Sequence, residues 1–305
     1  MAKTLDDART LLLEAAKLQP NNGATPSSER SFYQQDEALQ VGLHDFVRRT
    51  RCVRATFVQP ISANTWMEAL TAGTSPVPAD WVRERTVGMT IRYNNTGAWS
   101  SVTSYNVFDM AQNVSGDGLW YACLTANSNS QPPNGNWRQV TFDTIAPVIL
   151  TSEAAIRDYH GCSSRGPRGC GDAAECLSPY RGWVEAAPRT GLPCAAAFRD
   201  DSTLVFWPYT KQAVNMAIQY WQPFTTWTLG VVPTGSPLST GVTLNVPMDY
   251  VDEAIVKGAA DMLLFNTPGG RIPGSAAYEA LVKEVMGTYN VDSGRISRSK
   301  PGIYV

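Results

Sequence analysis

The spacing of apolar residues predicts two amphipathic helices near the start of the chain. In the first, apolar residues recur at intervals of three and four, the period of one helix face: Leu5, Ala8, Leu12 and Ala15. In the second, the same period links Leu39, Leu43, Phe46 and Val47. Each stripe follows a capping pattern, at residues 4–7 and 31–34, in which a Thr or Ser stands three positions before an Asp or Gln. We therefore expect helices that begin at these caps.

Two further helices are predicted towards the other end of the chain. One begins at Pro247, a residue type favoured in the first helical turn, and its apolar face consists of Val251, Ala254, Ile255, Ala259, Met262 and Leu263. The other runs over residues 275–290, with an apolar face of Leu281, Val282, Val285 and Met286. Because two-helix fragments are marginal in water, we expect the helices of the two chain ends to pack together.

Strand patterns flank the middle of the chain. Val53, Ala55 and Phe57 alternate with other residues, and two later runs are rich in β-favouring side chains. The predicted strands cover residues 52–60, 203–208 and 215–220.

Two insertions interrupt this framework. Residues 65–142 are rich in Asn, Ser, Thr, Gly and aromatic residues, with one brief helical turn at 66–70, and they predict an inserted small β-domain. Residues 147–199 hold many Gly and Pro residues and predict an irregular insertion.

These elements predict an α+β fold in which the N- and C-terminal helices form a helical bundle, with central β-strands and an inserted small β-domain. The predicted core covers residues 1–60 and 200–290. The inserted β-domain covers 65–142, the Cys-, Gly- and Pro-rich insertion covers 147–199, and a flexible C-terminal arm covers 291–305.

Composition adds an expectation about partners. Charged residues make up 17% of the chain, below the usual quarter, so a partner subunit is one candidate for covering the remaining surface. The chain has nine Trp and twelve Tyr residues, which are residue types favoured at protein interfaces. For any single one of them, a position in the core is the better expectation. The net charge of -2 comes with no basic stripe, which argues against electrostatic capture of nucleic acid. A near-neutral wall would suit a channel through which DNA slides.

The chain shows neither an apolar signal core at its N-terminus nor a run of about eighteen apolar residues. We therefore expect no secretion, no membrane span, and assembly in the cytosol.

The six cysteines raise the question of a metal site. They are Cys52, Cys123, Cys162, Cys170, Cys176 and Cys194. No Cys-x-x-Cys pair occurs and the gaps are irregular, so free thiols or a late disulfide are favoured over zinc.

Catalytic patterns are missing from the sequence. There is no phosphate-binding glycine loop, no dinucleotide fingerprint, no metalloprotease pair of histidines and no nucleophile elbow. His44 lies beside an apolar helix face, where a structural role is favoured, and His160 is the other histidine. Arg48, Arg49 and Arg51 end a predicted helix, which favours capping over phosphate binding. We expect no catalytic residue, no cofactor and no enzyme activity.

Residues 118–140 resemble a known small domain. An aromatic-x-Cys strand, a polar Asn/Ser turn, a Pro pair and a Trp before a last strand are similar to the small carbohydrate-binding module of chitinases and cellulases. In that family aromatic rings form a flat platform for sugars, and by position the resemblance implies Tyr121 and Trp137 for this role. The alternative is that Trp120, Tyr121 and Trp137 hold a small β-domain together.

The two chain ends resemble the head-to-tail adaptor (connector) proteins of tailed bacteriophages. The resemblance is carried by residues 4–17, 36–47, 204–209, 216–220 and 246–264. It implies a structural virion protein at the neck, assembled as a closed ring, commonly a dodecamer, beneath the portal protein. Tail or nozzle proteins would be further partners, and double-stranded DNA would pass through the ring without specific contacts. The alternative function is a carbohydrate-binding or adhesin-type tail protein.

The C-terminal residues predict a portal-binding arm. Arg295, Arg298 and Lys300 make this segment cationic, and it ends on Ile303, Tyr304 and Val305. A polar tail with a terminal apolar anchor is typical of segments that order on a partner, as the arms of several adaptor proteins do. The alternative is a frayed terminus without a function.

Overall fold

A computed structural model of the protein describes residues 3–156, 192–200, 202–208, 210, 212–235, 238–265 and 275–297. The chain forms two compact units. The first unit consists of Met1–Ala55 and Trp221–Arg298, and the second contains Thr56–Tyr220.

In its described residues, the first unit contains five α-helices, which are α1 (Leu5–Ala15), α2 (Phe32–Thr50), α3 (Met248–Ala254), α4 (Ala260–Phe265) and α5 (Ala276–Ser297). Both predicted capping boxes are confirmed. The Thr4 hydroxyl accepts a hydrogen bond from the Asp7 backbone N–H at 3.2 Å, and Ser31 and Gln34 cap α2 in the same way.

A π-helical turn, Ile255–Ala259, joins α3 to α4, so that one continuous helix runs from 248 to 265. Small residues let this turn pack closely on its neighbours. A Cβ atom on Gly42 of α2 would lie 2.9 Å from the Cα of Ala259, and one on Gly258 would lie 2.8 Å from the ring of Tyr278. The close packing therefore requires glycine at both positions.

One hydrophobic core fills the first unit. Leu12 of α1, Leu43 of α2, Val251 of α3 and Val282 of α5 belong to it, and all four are fully buried. Residues from both chain ends thus share a single core, which stabilises each helix far more than its intrinsic propensity does.

The second unit is built on a seven-stranded sheet. Its strands, in spatial order, are β1 (Arg54–Ile61), β13 (Val214–Trp221), β3 (Thr86–Arg92), β10 (Thr144–Leu150), β11 (Ala195–Phe198), β12 (Thr203–Trp207) and β2 (Met67–Ala69). The pairs β13–β3, β3–β10, β11–β12 and β12–β2 are antiparallel, and β10 and β11 are parallel.

The short connection between the two edge strands shows that this sheet is curled. A flat sheet of seven strands would hold its edges about 29 Å apart. The chain from Ile61 at the end of β1 to Met67 at the start of β2 reaches at most about 21 Å. The edges must therefore approach each other. Aromatic rings pack among the buried residues, with Trp81 and Tyr220 at 5.6 and 6.0 Å from the ring of Phe57.

Two smaller sheets lie between β3 and β10 in the chain. Four strands pair in the order β4 (Asn94–Ala98), β6 (Asp109–Gln112), β7 (Trp120–Cys123) and β9 (Trp137–Val140). The remaining strands, β5 (Ser104–Tyr105) and β8 (Asn127–Ser128), pair with each other. The predicted domain limits of 65 and 142 stay a prediction.

The predicted fold class is wrong. Besides the five α-helices of the first unit, the described residues form thirteen strands, and the dominant element is the seven-stranded sheet, so the fold is not a helical bundle built from the terminal helices. The α+β description holds only in the broad sense. The error arose because β2, β3, β10 and β11 lie in segments interpreted as insertions. Backbone pairing across long sequence separations, which leaves little pattern in the sequence, brings these strands into the main sheet.

Candidate functional site

The structure places both residues of the predicted sugar platform in a core. Tyr121 and Trp137 are each 5% exposed and pack with Tyr105, Ala111 and Cys123. The rings of Tyr105 and Trp137 meet edge to face at 5.0 Å. Both side chains therefore belong to the core of the small β-domain, and their role as a sugar platform stays a prediction.

Hydrogen bonds fix the polar ends of these two rings. The Trp137 indole N–H donates to the Ser130 carbonyl oxygen at 2.7 Å, and the Tyr121 hydroxyl donates to the Asp117 carboxylate. This second bond lowers the pKa of Asp117 and raises the pKa of Tyr121. Each ring is therefore fixed both by its packing in the core and by a hydrogen bond from its polar group.

The residues of the predicted portal-binding arm lie only partly within the described chain. Helix α5 continues to Ser297, seven residues beyond the predicted end at 290, so Arg295 belongs to the helix. Arg298, Lys300, Ile303, Tyr304 and Val305 lie outside the described residues.

The cysteines and histidines form no cluster within the part of the chain that the structure describes. Cys52 and Cys123 are buried free thiols, and Cys194 is an exposed free thiol. Burial raises the pKa of all three. Cys162, Cys170, Cys176 and His160 lie outside the described residues, and His44 is exposed on α2. Among the described side chains, no three His, Cys, Asp or Glu residues come together in a way that could hold a metal ion.

A buried ion pair that the sequence analysis missed joins three segments of the first unit. Arg9 and Asp36 have fully buried side chains, and the guanidinium donates two hydrogen bonds of 2.8 Å to the carboxylate. Arg9 also donates to the Val231 carbonyl oxygen at 2.7 Å, and the Gly230 N–H donates to Asp36 at 2.8 Å. The position of Arg9 within the apolar stripe of α1, four residues after Leu5, was the available signal.

A second polar cluster joins α2 to α5. Arg49 forms a bidentate pair with Glu279 at 2.9 and 2.7 Å, and the Tyr278 hydroxyl donates to Asp45 at 3.0 Å. The hydrogen bonds from Arg49 lower the pKa of Glu279, while burial raises the pKa of Tyr278. Arg49 therefore binds within the protein, whereas Arg48 forms an exposed pair with Asp45.

The helix from 248 to 265 carries apolar residues on its outward side as well as its inward side. Met248, Val256 and Leu264 are 45%, 44% and 44% exposed, and we call these three residues the outer helical face. A helix that covers a core with one side normally has polar residues on the other. Single exposed apolar residues are common on soluble proteins, and three of them on one helix make this helix the candidate for a contact with a protein partner.

The charges beside the outer helical face are mainly acidic. Asp249, Asp252 and Glu253 are exposed and Asp261 is half-buried, while Lys3 pairs with Asp252 and Lys257 pairs with Glu253. Cations are exposed at the C-terminal end of α2, where the side chain of Arg48 is 67% exposed. Arg51 is also exposed and lies 5.0 Å from the ring of Trp221. One molecule thus carries both an acidic apolar surface and a basic one.

None of the helices in the described part of the chain combines the length and the apolar character needed to cross a membrane. In comparisons with known proteins, no family model and no curated protein matches this chain.

Proposed function

We propose that this protein is a structural, non-enzymatic subunit of a tailed-phage virion: a head-to-tail adaptor that assembles with copies of itself into a ring between portal and tail. In this proposal the ring lies at the virion neck and forms part of the channel for double-stranded DNA. Its partners are the portal protein, through the C-terminal arm, and tail or nozzle proteins.

The organisation of the first unit supports this proposal. Of the five stretches that carry the adaptor resemblance, residues 4–17, 36–47 and 246–264 contribute to one hydrophobic core, whereas 204–209 and 216–220 lie in the second unit. Three stretches that are far apart in sequence thus pack together, and this packing supports the resemblance that they carry.

The outer helical face is the observation that carries the proposal. A ring requires two different surfaces on each subunit, because a head-to-tail contact joins one patch to its complement on the next copy. The occupant that we assign to the outer helical face is therefore the C-terminal end of α2 of a second copy, around Arg48 and Arg51. Acidic residues beside the apolar contact would meet those cations, which favours correct orientation and rapid association.

The test is a matched pair of valine variants. Val256→Asp adds a charge to the outer helical face, whereas Val102→Asp places the same charge on a residue that is 91% exposed in the second unit. Light scattering after size exclusion and electron microscopy would measure assembly. We expect the wild type and V102D to form rings, and V256D to need at least about tenfold more protein, since a buried unpaired charge disrupts a contact.

Portal particles complete the experiment. Each protein is mixed with purified portal, and co-sedimentation and ring images are recorded. The proposal is supported if wild type and V102D form rings on portal while V256D does not. It is overturned if the wild type stays monomeric both alone and with portal, or if V256D assembles as well as V102D.

A further inference from the structure

A polar cleft in the second unit has no role in the proposed assembly. It encloses about 610 Å³, which is within the range of small-molecule sites. Its polar lining consists of one carboxylate and four side-chain amides, from Asp109, Asn94, Asn106, Gln212 and Asn215, and we call it the amide cleft.

The floor of the amide cleft is held rigidly by hydrogen bonds. Asp109 at the start of β6 is 7% exposed, and its two oxygens accept from the Asn94 amide at 2.8 Å and from the Asn106 backbone N–H at 2.7 Å. The Asn215 side-chain amide in turn donates to the side-chain oxygen Oδ1 of Asn94 at 3.3 Å. This chain of bonds fixes which end of each amide faces which neighbour.

Two amides in the cleft remain available to a ligand. Within the described residues, the side chains of Asn106 and Gln212 form no hydrogen bond, although both line the cleft and are exposed. Each amide offers donors and an acceptor in fixed relation. The apolar part of the lining includes Val107, Val214 and Pro60. The cleft therefore combines amides that can both donate and accept with a small apolar surface.

This combination identifies the chemical class of the ligand. Hydroxyl groups donate and accept at once, so side-chain amides match them, and the C–H face of a sugar ring matches a small apolar surface. The described lining residues hold one carboxylate and no cation, so their charge does not favour an anion. The carboxylate already accepts N–H bonds at both oxygens, which disfavours a metal cation. We propose that the amide cleft binds a neutral, hydroxyl-rich ligand, namely one sugar unit of a glycan.

This inference is separate from the predicted aromatic platform and from the assembly proposal. It uses neither Tyr121 nor Trp137, and it would stand if the chain never formed a ring. No local sequence pattern predicts this cleft, because Asn215 is 121 positions away from its partner Asn94.

Ligand-observed NMR by saturation transfer would test the cleft on the full-length protein. The probes are free glucose, galactose, rhamnose and N-acetylglucosamine, followed by an array of neutral and anionic microbial glycans. The variants are Asn106→Leu and Gln212→Leu. Gln139→Leu is the control, because Gln139 is an exposed glutamine on β9 outside the cleft. All three keep the Asp109 network, so circular dichroism should match the wild type.

We expect the wild type to bind at least one neutral sugar. N106L and Q212L should each weaken that binding about five- to tenfold, the effect of one lost hydrogen bond, and Q139L should leave it unchanged. Absence of any sugar signal from the folded wild type would overturn the proposal. So would binding that N106L and Q212L leave intact, or binding only to anionic glycans that salt abolishes.

Discussion

Removing the carboxylate of Asp36 should destabilise the first unit more than any surface ion pair could. Arg9 and Asp36 are fully buried, and the guanidinium also lies 4.4 Å from the centre of the Phe32 ring. Asp36→Ala would leave two N–H groups of Arg9 and the Gly230 N–H without their acceptor, inside the protein and away from water. The charge of Arg9 would keep only its longer pair with the partly exposed Asp6, at 3.3 Å.

The size of the loss follows from these contacts. Removing one partner of a buried ion pair typically costs about 3–5 kcal/mol, because the other charge stays buried. We expect Asp36→Ala and Arg9→Ala each to fall in this range. The double variant Arg9→Met/Asp36→Leu should be less destabilised than either single variant, since it removes both charges. Arg48→Ala, which breaks an exposed pair with Asp45, should change stability by less than about 1 kcal/mol.

Local measurement is needed because the chain has two units and a single unfolding transition cannot be assumed. Hydrogen exchange followed by mass spectrometry would report on α1 and α2 peptides, and urea unfolding by circular dichroism would follow the helices. The reasoning is refuted if Asp36→Ala costs no more than Arg48→Ala. It is also refuted if the double variant loses as much as the two single variants together.

Three further predictions concern packing, pH and the C-terminus. Gly42→Ala should destabilise the first unit by about 1–3 kcal/mol in urea unfolding because its Cβ meets the π turn, whereas Gly287→Ala, with open space among the described residues, should be neutral or stabilising. Since the pKa of Glu279 is lowered, the wild type should lose stability as pH falls below the ordinary value of 4.5. Thermal melts over this pH range should show a smaller loss of stability for Glu279→Gln. The control Glu284→Gln should lose as much stability as the wild type. Truncation after Ser297, the end of α5, should leave folding intact and abolish co-sedimentation with portal particles; equal binding would exclude the arm.

The helices could be predicted from the sequence because their signals are local. A cap and an apolar stripe lie within a few residues of each other, as at Thr4 and Asp7, and the same sequence neighbours make the contacts in the structure. The predicted end of α5, at 290, is seven residues too early. The apolar pattern of residues 291–297 is too weak to predict a helix, yet this segment contains no proline that would end one.

The main sheet could not be predicted because its pairings are distant in sequence. The pattern at residues 66–70 predicts a helical turn, yet Met67–Ala69 forms β2 and pairs with Thr203–Val205 of β12. Strand β3 shows alternation at Met89 and Ile91, but its partners are β13 and β10, far along the chain. Short strands are fixed by such neighbours more than by their own composition.

Among the candidate sites too, features with a local sequence signal could be predicted, and features that depend on distant segments could not. The aromatic residues of the small β-domain were recognised from a local motif, but burial, which decides between a platform and a core, depends on the whole sheet. The outer helical face could have been noticed, since Val256 and Leu264 stand eight residues apart beside the inward stripe. The amide cleft could not, because strands remote in sequence supply its walls.

The assembly proposal depends on residues of the first unit, and the sugar-binding proposal depends on residues of the second. The same set of variants therefore tests each proposal separately. V256D changes the first unit and should leave the affinity for a free monosaccharide unchanged, whereas N106L changes the second unit and should leave assembly unchanged. A surface coated with glycan would give a different result from the free sugar. A ring presents one cleft per subunit, and multivalent attachment can exceed the single affinity by about 10²–10⁴. Loss of assembly in V256D should therefore remove the tight attachment to the coated surface while the monosaccharide signal persists. If V256D lost the monosaccharide signal too, the ligand site would depend on assembly, and a cleft complete within one subunit would be refuted.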